Sequence, residues 1–176
     1  VAFDVRKPDI PLPDWWLIAG WAAVSVHGGE YHGRTTPNGH HYRFTGISTP
    51  RGMGYRIDTI GVADYNYIFY GYTVEELYIT QGREITVSGE FRHDDVLGGL
   101  APDRRKTWAY LFDSEFNLLQ SELLLDYYEW PNWYTKQVSF TGLDKGYYRV
   151  GIGRKDAWIA PYQLAAEWYG VTISIS

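Results

Sequence analysis

The stretch Asn132–Gly153, NWYTKQVSFTGLDKGYYRVGIG, decides the fold. Val138 and Phe140 fall in one phase against Gln137 and Ser139, and beyond the turn GLDKG the residues Tyr148, Val150 and Ile152 fall in one phase against Arg149. Successive side chains of a strand point to opposite faces, so an apolar phase alternating with a polar one marks a strand with one face in a core and one in water. These are half-buried antiparallel strands, and Gly and Asp supply the turn between them.

The same period runs outward in both directions. REITVSGEF sets Ile85, Val87, Gly89 and Phe91 against Glu84, Thr86, Ser88 and Glu90, and YGVTISIS sets Val171, Ile173 and Ile175 inward. Similar runs cover Trp21 to His27, His40 to Thr45, Tyr55 to Ile60, Tyr65 to Tyr72, Thr107 to Phe112 and Leu118 to Leu125. Turn chemistry separates them in HGGEYHG, TPNG, TPRGMG, TQG, LGGLAPD and WPN. VEELYI and APYQLAAEW read as single helical turns. The sum is an all-β chain, an antiparallel β-sandwich or jelly roll of about nine or ten strands. It reads as one domain over residues 1–176, with residues 1–14 as an extended, proline-bearing lead-in.

The apolar fraction is 45% and the charged fraction 21%, which suits a globular protein, so the feature in need of a reason is the 18% of aromatic residues. Tyr and Trp join a polar handle to an apolar body and serve half-wet positions as readily as cores. A net charge of −5 with no basic block argues against nucleic acid, whose phosphates demand a cationic face. The absence of Cys removes thiol catalysis, disulfides and thiolate zinc sites. No apolar run approaches the length of a membrane span. The chain starts at Val1 rather than Met, as a mature form or an excised piece of a longer protein does, and a signal peptide would not be visible.

Four segments, in chain order, resemble carbohydrate-binding modules of the jelly-roll type, similar to the galactose-binding-like modules of glycoside hydrolases: GWAAVSV near the start, YTVEELYITQGREITVSGEFR, NWYTKQVSFTGLDKGYYRVGIG with Trp133 at its strand-opening Trp, and the closing AEWYGVTISIS. The resemblance implies a β-sandwich that binds a polysaccharide or oligosaccharide without catalysis, as part of a secreted or cell-surface protein that can carry other domains. It also implies a departure. That family commonly has Asp, often tied to a structural calcium, where this chain has Tyr169 and Gly170, which counts against calcium. No cofactor is expected.

A pyranose presents a patch of axial C–H groups that an aromatic face complements, while polar neighbours hold the hydroxyls. Trp130, in the loop YYEWPNWY, is a candidate platform, with Tyr127 and Tyr128 beside it; Trp133 reads as packing. Trp21 is out of phase with Val24 and Val26 and so is expected to point into an outer groove. Trp108 and Tyr110 share a bulky stripe with Phe112, and Glu90, Arg92, Gln137 and Arg149 are the expected hydroxyl partners. In YNYIFYGY both phases carry rings, so either another segment lies over that strand or it joins the platform. One of Trp15 and Trp16 is expected to be buried.

Other classes stay open. A small jelly-roll glycosidase needs two converging carboxylates, for which Glu75, Glu76, Glu90, Glu122, Glu129 and Glu167 are available. A lyase needs a neutralising group beside a Tyr base, such as Arg149 with Tyr147. A structural or protein-interaction sandwich, of the surface-layer or virion kind, would bury its rings against a partner chain. His93, Asp94 and Asp95 read as a solvated turn rather than a metal site, and His40 and His41 alternate across a strand.

Overall fold

The computed structural model describes residues 21–27, 30–32, 42–59, 65–73, 75–95, 106–158 and 164–176. The described residues form twelve strands: β1 (Trp21–His27), β2 (Glu30–His32), β3 (Tyr42–Thr49), β4 (Gly52–Thr59), β5 (Tyr65–Thr73), β6 (Leu77–Ile79), β7 (Ile85–Asp95), β8 (Thr107–Asp113), β9 (Leu118–Leu125), β10 (Tyr134–Phe140), β11 (Gly146–Trp158) and β12 (Leu164–Ile175). Ten correspond to the alternating runs, and the additional two are the three-residue β2 and β6. Every pairing is antiparallel. One sheet has the order β2-β1-β5-β11-β8-β9, with β6 also paired to β11, and the other has the order β10-β7-β12-β4-β3. The expected antiparallel β-sandwich is the observed architecture.

Both helical readings are corrected. VEELYI contributes β6, because Leu77, Tyr78 and Ile79 ladder onto Tyr148, Tyr147 and Gly146 of β11. APYQLAAEW contributes the start of β12 from Leu164, held between β4 and β7. Ladder bonds and burial override a local helix preference built from Ala, Leu and Glu. The lead-in, Trp15, Trp16, His40 and His41 lie outside the described residues.

The interior lies between the sheets. Ile57, Ile85, Val87, Phe91, Phe140, Ala166 and Trp168 come from the five-stranded sheet; Trp21, Ile79, Ala109, Leu111, Leu125, Tyr148, Val150 and Ile152 come from the other. Each large apolar side chain so enclosed contributes about 1.5–3 kcal/mol. At the centre of one end, the Trp168 ring stands 5.3 Å from Trp21 and 6.1 Å from Tyr55. His93 is also inside, its Nδ1 2.9 Å from the Thr107 hydroxyl.

A second aromatic layer covers the other face of the seven-stranded sheet. Tyr70, Tyr72, Tyr110, Phe112 and Phe116 are all buried, with Tyr70 stacked on Phe112 at 4.7 Å and Tyr72 edge-on to Phe116 at 4.8 Å. Gly151 lets these rings lie against β11: a Cβ there would sit 2.7 Å from the Phe112 ring. Of the two readings of YNYIFYGY, burial removes Tyr70 and Tyr72 from any open platform.

The five-stranded sheet presents a polar outer face. Alternation puts Thr86, Ser88, Glu90 and Arg92 of β7 on that face, because Ile85, Val87 and Phe91 are in the core. A bulge between Tyr169 and Thr172, with Gly170 at φ 62°, adjusts β12. Gly tolerates this left-handed geometry, and the extra residue turns both Trp168 and Val171 inward while Glu167 and Tyr169 face out.

Candidate functional site

Two neighbouring features give this end of the sandwich its chemistry: the polar outer face and the loop that enters its edge strand. On the face, Glu167 is buried and accepts from Arg92 Nε at 2.8 Å, with Arg56 Nη1 3.5 Å away. The register explains the convergence, since Glu167 stands opposite Arg92 on β7 and Arg56 on β4. A carboxylate taken out of water is tolerable only when charge-assisted hydrogen bonds replace its hydration, and here two guanidinium groups do so.

One step along the sheet, Arg51 Nη1 reaches Glu90 Oε1 at 2.8 Å and donates to the Tyr169 hydroxyl at 3.4 Å. Arg51 belongs to the β3–β4 hairpin turn, so the hairpin folds its charge back over the face. The Glu90 carboxylate accepts from the Tyr169 phenol and holds it above its usual range, while Arg51 pulls the other way. Trp133 stands edge-on to Tyr169 at 5.6 Å and 89°, and the Arg92 guanidinium lies 4.8 Å over the Trp133 ring. Edge-to-face pairs and cation–π contacts contribute about 0.5–1.5 kcal/mol each, enough to fix a ring's orientation.

The β9–β10 loop runs from Asp126 to Trp133. Asp126 N–H donates to Glu129 Oε1 at 3.0 Å and Glu129 N–H returns to the Asp126 carbonyl at 3.0 Å. The first bond is one half of a helix capping box, the side chain three residues on accepting from the opening N–H, and the second is the backbone bond that closes a single turn. Glu129 is buried and also paired with Lys136 on β10, and Tyr127 N–H donates to Asp126 Oδ1 at 2.8 Å. The backbone is thus locked while its rings stay outside: Tyr127 is 46% exposed, Tyr128 68% and Trp130 50%. Tyr127 and Tyr128 stand edge to face at 5.6 Å. Glu129→Ala should loosen this turn, raising hydrogen exchange at the Asp126 amide about 5- to 10-fold, since one net hydrogen bond is worth about 1 kcal/mol. Glu129→Gln, which keeps an acceptor, should restore most of the protection.

No family model matches the chain, and no curated protein matches it. Solved structures do. An arabinose-bound α-L-arabinofuranosidase aligns over 89% of this chain and 23% of its own, with TM-score 0.53 and 9% identity. A CBM4 module aligns over 89% of this chain and 86% of its own, with TM-score 0.49 and 14% identity. The enzymatically active domain of bacteriophage CBA120 tailspike protein 4 aligns over 92% of this chain and 20% of its own, with TM-score 0.48 and 10% identity. Modules of the CBM22, CBM6 and CBM61 types are also among the similar structures. The chain resembles β-sandwich carbohydrate-binding modules. At these identities the likeness is one of fold.

The expected contact residues divide among three places. Glu90, Arg92 and Gln137 share the outer face of the five-stranded sheet, with Gln137 opposite Ser88 on the exposed edge strand. Trp130 is in the exposed loop. Arg149 is elsewhere, on the seven-stranded sheet, where it pairs with Glu76 at 3.3 Å and lies 4.8 Å over Phe116. Trp108 is half-buried on that same sheet. Trp21 and Tyr110 are enclosed. The expectation for Trp21 fails in its sign: alternation opposes it to Val24 and Val26 without saying which phase turns inward. Tyr110 was correctly phased with Phe112, but the outer face carrying them is buried.

Sequence reasoning passed over Trp133, Tyr169 and Arg51. Trp133 matches a packing position, Tyr169 stands where the resembling modules have Asp, and Arg51 sits in a turn string. The one available signal was Tyr169, an aromatic residue in the polar phase next to Glu167.

Glu90 and Glu167 are two carboxylates on the same face of adjacent strands, the placement a glycosidase would need as a start. Each accepts from arginine, so both already serve as ion-pair acceptors.

Proposed function

We propose that this protein binds a neutral polysaccharide without catalysis, the glycan stacking on the loop rings Trp130 and Tyr128 and running onto the polar face, where Glu90, Arg92 and Gln137 meet its hydroxyls. The observation that carries the reading is the locked loop: three rings are held about half exposed or more by hydrogen bonds to their own backbone turn. Exposed rings lose little entropy on binding when their loop is already fixed, which is the condition for a preformed platform. Arg51, Arg56 and Arg92 on the outer face all pair with Glu90 or Glu167, which offset most of their charge and so favour an uncharged partner. Among the described residues no helix is long and apolar enough to cross a membrane. An extracellular or cell-surface setting, alongside other domains, follows from the same reading.

Affinity electrophoresis on soluble glucans, mannans and xylans tests it. One of these polysaccharides should retard the native protein, and Trp130→Ala should weaken that retention roughly tenfold or more, from about 1.5–2.5 kcal/mol of lost ring burial. Retention should change little with salt, because neutral hydroxyls release no counterions. A native protein that no polysaccharide retards, or a Trp130→Ala protein retained as well as native, refutes the assignment.

Glycoside hydrolysis is the second reading, favoured by the shared face of Glu90 and Glu167. Reducing-sugar release abolished by Glu90→Gln would establish it.

A further inference from the structure

Across the sandwich from the polar face, β6 and β11 carry two consecutive cross-strand pairs on one surface. Tyr78 stands opposite Tyr147 in the ladder, their ring centroids 5.0 Å apart at 55°. Continuing the same register places Glu76 beside Arg149, and the two are ion-paired at 3.3 Å. All four side chains share the outward phase, since Leu77 packs on the core and Ile79 and Tyr148 lie within it. Tyr78 is 46% exposed and Tyr147 53%, although Tyr72, Phe112 and Phe116 on the same sheet are buried. Arg149 is held from below by Phe116.

We infer that Tyr78, Tyr147, Glu76 and Arg149 form a second carbohydrate-contact site, which takes a single pyranose unit of a glycan. Residues two apart along a strand are ~6.5–7 Å apart, so the ring pair and the ion pair are separated by about the span of one sugar ring. A pyranose laid on the tyrosines therefore brings its hydroxyls to a carboxylate acceptor and a guanidinium donor fixed by their mutual pair. The rings supply contact and the ion pair supplies orientation, the division of labour found in small-ligand sites. This site stands on its own residues and does not need the loop platform to be correct. If both operate, one domain contacts two glycan segments on opposite sheets, and tethering raises overall retention above that of either site.

Protein with ¹³C-labelled tyrosine rings is titrated separately with cellohexaose, xylohexaose, mannohexaose and galactohexaose, in the native form and as Trp130→Ala. At least one sugar should shift the Tyr78 and Tyr147 ring resonances saturably and equally in both forms. Glu76→Gln, at an exposed position and nearly isosteric, should weaken that saturation roughly fivefold, as expected for one lost hydroxyl contact. Rings unmoved by all four sugars overturn the inference, and so do shifts of equal size from every sugar and from glycerol. Shifts that survive Glu76→Gln unchanged also overturn it. Failure of the loop platform reads out differently, as Tyr127 and Tyr128 resonances indifferent to sugar while Tyr78 and Tyr147 respond.

Discussion

Trp168→Ala is expected to lower the unfolding free energy by about 3–5 kcal/mol, the range for deleting a fully buried large ring. The Trp168 side chain is completely enclosed and meets Trp21 and Tyr55, one from each sheet, so its removal opens a cavity where the two layers are joined. Neither neighbour can collapse into that space freely. Tyr55 is fixed by the β3–β4 ladder and Trp21 by pairing with Thr73. Urea unfolding followed by far-ultraviolet circular dichroism should show a reduced midpoint at unchanged slope. Trp168→Phe keeps part of the volume and should lose much less. Because Glu167 and Tyr169 flank Trp168 on the opposite face, the alanine variant should also disturb the Arg92–Glu167 pair. A loss below about 1 kcal/mol would mean that the layers close over the gap, and the ring would not be the link between the sheets described above.

The alternation that makes Trp168 inward and its neighbours outward is the part of this fold most directly written in the sequence. In β7, β10 and β11 apolar and polar residues alternate cleanly, and in each the apolar phase is the one in the core. Phase within a strand does not reveal which sheet a strand joins. Arg149 was therefore grouped with Glu90, Arg92 and Gln137, although β11 lies in the seven-stranded sheet and they do not. Nor does phase reveal which face is covered when both are aromatic, as Tyr110 and Trp21 show. The bulge at Gly170 shifts β12 by one residue, and only the pairing with Ser88 exposes it. The loop was more legible, because Pro131 and the density of rings marked YYEWPNWY as something other than interior strand. Its lock was not, since Glu129 meets Lys136 only after β10 has folded back beside it.

Alkaline pH should unfold the protein partly through Tyr72. Burial in the aromatic layer pushes its phenol up to about 12, against a smaller opposing pull from Arg149; a free tyrosine titrates near 10. The sign follows from which state binds the proton. Below about pH 10 both states keep it and the full stability is present, whereas above that the unfolded chain ionises first and folding must retain a proton the solvent would take. Stability therefore falls as pH rises through the folded value, by about 2.7 kcal/mol for a two-unit displacement. Tyr72→Phe retains the edge-on contact with Phe116 and removes the titration. Urea midpoints measured from pH 9 to 12 should thus diverge, the Phe variant gaining roughly 2–3 kcal/mol on native protein across that window. Arg149→Ala should steepen the native decline, because a cation opposing the burial effect is gone. Parallel curves for native and Tyr72→Phe proteins would show that water reaches the phenol, and the outer face of the seven-stranded sheet would then be open rather than buried.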